Sequence, residues 1–146
     1  MISSRSLDDL DPSARTAAES ALADCKAAGL DVLVYCTYRD FEEQNRLYAS
    51  GRTTPGEWKT NARGGQSWHN WRLALDLVPL RNGVPVWGRT VPEDVALWKS
   101  VAEKFKAHGF EWGGDWPRAK QDWPHFQRPD GQTIAMLLAK HPKGLA

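Results

Sequence analysis

The segment Ser67-Trp68-His69-Asn70-Trp71-Arg72-Leu73-Ala74-Leu75-Asp76 is answered far downstream by Asp122-Trp123-Pro124-His125-Phe126. Together they supply two imidazoles and two carboxylates, the side chains of a hydrolytic zinc site. Such a site takes three protein ligands from His and Asp or Glu, keeps a fourth position for water, and brings the pKa of that water to about 7. A free carboxylate must then accept the water proton and deliver it to the leaving amine. His69, Asp76 and His125 can be the ligands, which leaves Asp122 as the acid/base. His69 and Asp76 are seven residues apart, about 10.5 Å along a helix, too far for easy shared ligation. A strand carrying Asp76, entered through a turn after His69, suits them better.

The elements around these residues can be read from periodicity. Leu73, Leu75 and Leu77 alternate with Ala74, Asp76 and Val78, so a strand puts Asp76 on the face opposite the leucines. Arg81-Asn82-Gly83-Val84 follows, and Asn-Gly between apolar runs signals a hairpin. Pro79 and Pro85 cannot donate to a ladder, which places an edge or an end near them. Asp122 and His125 straddle a bend at Pro124 that leads into a short strand through Phe126. Upstream, Pro12 to Ala28 reads as a helix capped by Asp11 and stopped at Gly29. Val32 to Thr37 reads as a strand delivering Arg39 at its end. Asp40 and Glu43 form a capping-box pattern for a helix that stops before Gly51. Gly51 to Gln66 is an aperiodic loop, either a lid over the site or simply a well-packed loop. Thr90 and Glu93 repeat the capping pattern before an apolar face of Val95, Trp98, Val101, Ala102 and Phe105 that ends at Gly109. Phe110 to Trp112 begins a short strand, and Thr133 to Lys140 is a terminal helix. The order predicts an α+β fold, a small mainly antiparallel sheet with helices packed on one side and a zinc cleft across the sheet.

The run from Ser67 to Asp76 resembles the Ser-x-His-x-x-Gly-x-Ala-x-Asp signature of zinc D-Ala-D-Ala carboxypeptidases and dipeptidases and of phage L-alanyl-D-glutamate endopeptidases. Thr37-Tyr38-Arg39, Gln44, and Trp112-Gly113-Gly114-Asp115-Trp116 followed by Asp122 to Phe126 look most like the phage endolysin branch. The dipeptidase branch typically carries Glu where this chain has Asp122. The resemblance runs from about Leu30 to Phe126. It implies zinc held by His69, Asp76 and His125, with Asp122 as general base. It further implies that Arg39 binds the substrate carboxylate or the developing oxyanion, and that Ser67 and Gln44 line the peptide site. The implied reaction is hydrolysis of the L-Ala-D-Glu bond in peptidoglycan stem peptides during host cell lysis. The alternatives are a D-Ala-D-Ala carboxypeptidase or dipeptidase, and a non-catalytic zinc-containing peptidoglycan-binding domain. One residue departs from the pattern: the family's glycine falls on Arg72. Arginine is poorly suited to a positive φ, so the turn after His69 is expected to be built differently.

Composition bounds the rest. At 146 residues the chain is expected to be one catalytic domain, residues 1–146, and a monomer. A net charge of +1 from 19 basic and 18 acidic residues, without long blocks, gives no footprint for nucleic acid. No apolar run approaches the roughly 18 residues that span a bilayer, and the first thirty residues carry no signal-peptide stretch. The expected location is the host bacterial cytoplasm, with action in the periplasm after membrane permeabilisation. Cys25 and Cys36 read as buried thiols. His108 and His141 read as structural, His108 in the last turn of a helix. Of the eight tryptophans, Trp68, Trp71, Trp116 and Trp123 flank the motifs, and some of them are expected to wall the cleft.

Overall fold

The computed structural model describes residues 1–145. Helix α1 (Pro12–Ala27) starts where Asp11 accepts from the Ser13 N–H and buries Ala14, Ala17, Ala18, Ala21 and Cys25. These positions recur every three or four residues, so one small-residue stripe lets the helix lie close to its neighbours. Strand β1 (Asp31–Cys36) leads to α2 (Phe41–Ala49), capped by Asp40 as expected. Strand β2 (Ala74–Arg81) turns through Asn82 and Gly83, both at positive φ, into β3 (Val84–Pro85). Helix α3 (Pro92–Lys106) is followed by β4 (Glu111–Trp112), β5 (His125–Gln127) and α4 (Ile134–Lys140).

The capping pattern expected at Thr90 is displaced by one residue. Val91 is the N-cap, without a side-chain hydrogen bond, and Pro92 occupies the first turn. Proline starts the helix here through its fixed φ and absent N–H. His108 lies just beyond the end of α3, not in its last turn, and its Nε2 pairs with Asp24 Oδ2 of α1 at 2.7 Å.

The strands form one antiparallel sheet in the order β1-β2-β5-β4, with β3 on the far end of β2. Register decides what each face carries. Leu75 is opposite Phe126, and Trp112 is opposite Phe126 on its other side. Leu73, Leu75, Leu77, Trp98, Val101, Phe105 and Phe126 are almost wholly buried in the core under α1 and α3. The alternate residues Asp76 and His125 are also opposite each other, and Cys36 is opposite Asp76 on the β1 side. Helices α1 and α3 and the titratable residues therefore take opposite faces of the sheet, as the leucine alternation predicts. A bulge between Val34 and Cys36 alters the register of β1 beside Asp76, and such bulges re-aim side chains next to functional sites. No helix among the described residues is long and apolar enough to cross a membrane.

Candidate active site

The cleft occupies about 720 Å³ on the open face of the sheet, and Arg39, Ser67, His69, Asp76, Asp122 and His125 all line it. At its floor, His69 Nε2 lies 3.2 Å and His125 Nδ1 3.3 Å from the same oxygen, Asp76 Oδ1. The other nitrogen of each ring faces an acceptor: His69 Nδ1 is 2.7 Å from the Thr37 carbonyl, and His125 Nε2 is 2.8 Å from Gln127 Oε1. An imidazole that donates to such an acceptor, when neutral, turns a lone pair from its remaining nitrogen. Two neutral rings arranged this way would oppose lone pairs to a carboxylate oxygen. A cation among the three groups removes that conflict, so the donor set fits a divalent metal of the kind bound by His and Asp.

Asp76 and His69 agree with this fit, one kept ionised and the other kept neutral, whereas His125 favours a proton that a metal would have to displace. Burial alone would raise the Asp76 pKa, but the two histidines outweigh it and hold the carboxyl well below the usual carboxylate range. His125 loses stability as a cation through burial, yet its hydrogen bond and charge pairing with Asp76 prevail and raise its pKa. His69 goes the other way: burial dominates, despite Asp76, and lowers its pKa. Cys36 Sγ is 3.8 Å from His69 Nδ1, and Cys36, His69 and Asp76 can also bring ligand atoms within 4.8 Å of one another. Cys36 is the weaker candidate. Burial pushes its thiol up to about 11, whereas a metal takes the thiolate, and Cys36 does not line the cleft as His125 does.

Asp122 sits at the cleft mouth, open to solvent. The surrounding protein nevertheless raises its pKa by desolvation, and Asp76 adds to this against the opposing pull of His125, His69 and Arg39. A carboxylate with a raised pKa is better matched to taking and returning a proton near neutrality. Its backbone is locked to the turn after β4: Asp122 N donates to Gly113 O at 3.1 Å. A Cβ on Gly113 would collide with the Asp122 carbonyl oxygen, so glycine permits the approach that sets Asp122 in place.

Arg39 reaches the cleft from the end of β1. Its backbone is pinned on two sides, by Arg39 N to His69 O at 3.2 Å and by Asn70 Nδ2 to Arg39 O at 2.9 Å. The neighbouring acid does not neutralise it, because Asp40 caps α2 and lies 3.6 Å from the chain's amino group. Arg39 Nε is buried without a hydrogen-bond partner among the described residues, which leaves a guanidinium with donor capacity for an anion.

Ser67 lines the cleft and caps the short 3-10 turn Trp68–Trp71, accepting from His69 N at 3.4 Å. Gln44 does not line it. Gln44 is wholly buried, and its Nε2 donates to the Ala62 carbonyl at 2.8 Å, so it supports the loop behind the wall. That loop contributes Thr60, Asn61, Ala62 and Gln66 to the cleft and is tied down further by Gly64 N to Asn45 Oδ1 and by Arg52 stacked on Tyr48 and Trp58. Of the flanking tryptophans, Trp68 and Trp116 wall the cleft, and Trp116 packs 5.4 Å from His125 between ring centroids. Trp71 and Trp123 are buried in the core.

The turn after His69 departs from expectation. Arg72 takes the left-handed conformation itself, with φ 62° and ψ 25°. Its guanidinium lies 3.9 Å from the Tyr38 ring centre, and its Nη1 donates to Asp9 O at 2.7 Å. Stacking and hydrogen bonding offset a backbone cost of about 1–2 kcal/mol. Sequence reasoning missed Gln127 and Glu111, and it quoted Thr37 and Asn70 only as motif residues without their supporting roles. The His-x-Gln spacing was a usable signal for Gln127, because alternate residues of a strand share a face.

The M15 peptidase family model described as D-alanyl-D-alanine carboxypeptidase matches residues 60–128. Peptidoglycan L-alanyl-D-glutamate endopeptidase CwlK of Bacillus subtilis is 39% identical over 123 residues, covering 82% of this chain and 73% of that protein. L-alanyl-D-glutamate peptidase of Listeria phage A118 is 32% identical over 113 residues, covering 77% of this chain but only 36% of that protein. Among solved structures, the Serratia marcescens L-Ala D-Glu endopeptidase ChiX superposes with a TM-score of 0.61 at 23% identity, covering 87% of this chain and 88% of that one. The LD-carboxypeptidase LdcB gives 0.64 at 20% identity, covering 91% of this chain and 64% of that one. At these identities the two structures establish the fold.

Proposed function

The chain belongs to the M15 peptidases, and from that premise we propose that it is a zinc-dependent endopeptidase hydrolysing the L-Ala-D-Glu bond of peptidoglycan stem peptides. The observation that carries this reading is the convergence of His69 Nε2 and His125 Nδ1 on Asp76 Oδ1, at 3.2 and 3.3 Å, in a cleft that also holds Asp122 and Arg39. The bond assignment draws on the activity named for the Bacillus and phage relatives. We further propose a role in host lysis, the enzyme reaching the wall after the membrane is breached; the phage origin of one relative is what supports it.

His69, Asp76 and His125 would hold the zinc. When bound, zinc supplies Lewis acidity, polarising the scissile carbonyl and making water acidic enough to attack near neutral pH. Asp122 takes the proton from the attacking water and returns it to the departing amine. Arg39 offsets negative charge on the substrate carboxylate or on the carbonyl oxygen as the bond breaks. Trp68 and Trp116 exclude water from one side of the reacting peptide.

The test is digestion of purified peptidoglycan with and without a zinc chelator, with fragments identified by mass spectrometry. Chelator-sensitive exposure of a D-Glu amino terminus is expected. Release of free D-Ala selects instead the carboxypeptidase activity for which the family model is described. Zinc binding without any peptide product overturns catalysis. Asp122→Ala is expected to keep zinc while lowering kcat by about 10²–10⁴-fold, and Arg39→Ala to lower it by about 10²–10³-fold.

A further inference from the structure

Gln127 is 8% exposed and stands between two groups on the cleft face of the sheet. Its Oε1 lies 2.8 Å from His125 Nε2, and its Nε2 donates to Glu111 Oε2 at 2.9 Å. The register makes this possible, because Gln127 on β5 is directly opposite Glu111 on the edge strand β4.

From this geometry we infer that Glu111 and Gln127 are positioning residues that fix the tautomer of His125. A carboxylate has only acceptors, so the Gln127 amide must turn its NH₂ toward Glu111 and its carbonyl toward His125. A carbonyl also only accepts, so His125 must carry hydrogen on Nε2 and, once neutral, direct the Nδ1 lone pair at the cleft. Glu111 is exposed at the sheet edge and does not line the cleft, yet it sets the direction of two successive hydrogen bonds. Without this chain, the Asp76 carboxylate at 3.3 Å would draw the hydrogen to Nδ1, the wrong nitrogen for a metal ligand. Orienting partners of this kind change metal affinity by about 10–100-fold.

The inference rests on the zinc reading, but its test does not depend on activity. The zinc dissociation constant of the full chain is measured by competition with a chelator. Gln127→Leu is expected to bind zinc about 10–100-fold more weakly than the parent, and Glu111→Leu to show a smaller loss in the same direction. The exchanged pair Glu111→Gln with Gln127→Glu restores an acceptor toward His125 and a donor behind it, so it should recover most of the affinity lost in Gln127→Leu. A role confined to packing β4 on β5 predicts no such recovery. In metal-free protein, above the pH at which His125 loses its second proton, ¹⁵N NMR of the imidazole reads the tautomer directly. The Nε2–H fraction should fall in Gln127→Leu relative to the parent. Unchanged zinc affinity and an unchanged tautomer in Gln127→Leu overturn the relay. A parent that binds no zinc overturns the metal reading instead, while the tautomer measurement still decides the relay.

Discussion

His69 and His125 face one carboxylate oxygen and are held there by opposite means. His69 lies against a main-chain carbonyl, that of the wholly buried Thr37, and presents Nε2. His125 lies against a side chain, Gln127, and presents Nδ1. A main-chain acceptor survives any substitution at Thr37 that keeps the backbone in place, whereas the Gln127 acceptor disappears with its residue. One arm of the site is thus built into the path of β1, and the other is adjustable from the sheet edge. The two also differ in charge preference. Burial wins at His69 and lowers its pKa, while Asp76 outweighs burial at His125 and raises it.

Loss of either ring should have the largest effect. His69→Ala and His125→Ala are each expected to abolish stoichiometric zinc, measured by elemental analysis after dialysis, together with peptide cleavage. Zinc retained by His125→Ala alone would break the comparison and transfer the site to Cys36, His69 and Asp76.

Protons give the next effect. In NMR titrations of metal-free protein, His125 should titrate above the ordinary imidazole value of about 6.5 and His69 below it. The stability that His125 contributes is fully present below that ordinary value and is lost as pH rises through its raised pKa. His69 has the opposite sign, removing stability as pH falls through the ordinary value, because the unfolded chain then binds a proton that the folded chain resists. Zinc must displace the proton held by His125, so affinity should climb with pH and level off above the raised pKa. Affinity independent of pH from 5 to 9 would contradict this, that range being roughly where imidazole changes charge.

Cys36 should matter less. Its Sγ is 3.8 Å from the His69 nitrogen that faces Thr37, so Cys36→Ala should cost well under the roughly tenfold in zinc affinity that follows loss of an orienting partner. A larger loss in chelator competition would show that the thiol helps hold the His69 arm. The smallest expected change is in Arg72→Gly, just after the turn that carries His69. Glycine relieves the left-handed backbone but gives up the Tyr38 stacking and the Asp9 hydrogen bond, so thermal unfolding should show a net change within about 1 kcal/mol.

Much of this arrangement was legible in the residues themselves. The leucine alternation located Asp76 on the face away from the core, because a strand can bury one face only if its apolar residues recur at every second position. The ordered Ser-x-His, Asp and Asp-x-x-His spacings carried the candidate site, and Asn82-Gly83 carried the hairpin. Gln44 lies behind the cleft wall, a position not legible beforehand because a polar side chain that lines a cleft and one that supports the loop behind it look alike in sequence. Arg72 was misjudged because its compensation comes from Tyr38 and Asp9, remote in the chain. The sequence by itself determined which chemical groups are available and which face of β2 bears Asp76, since both follow from residue type and local periodicity. Only the tertiary structure decided which nitrogen each histidine offers, that Arg39 stays free of Asp40, and that Glu111 stands behind His125. Those outcomes depend on hydrogen-bond partners brought together by sheet register and strand order, which no local pattern encodes.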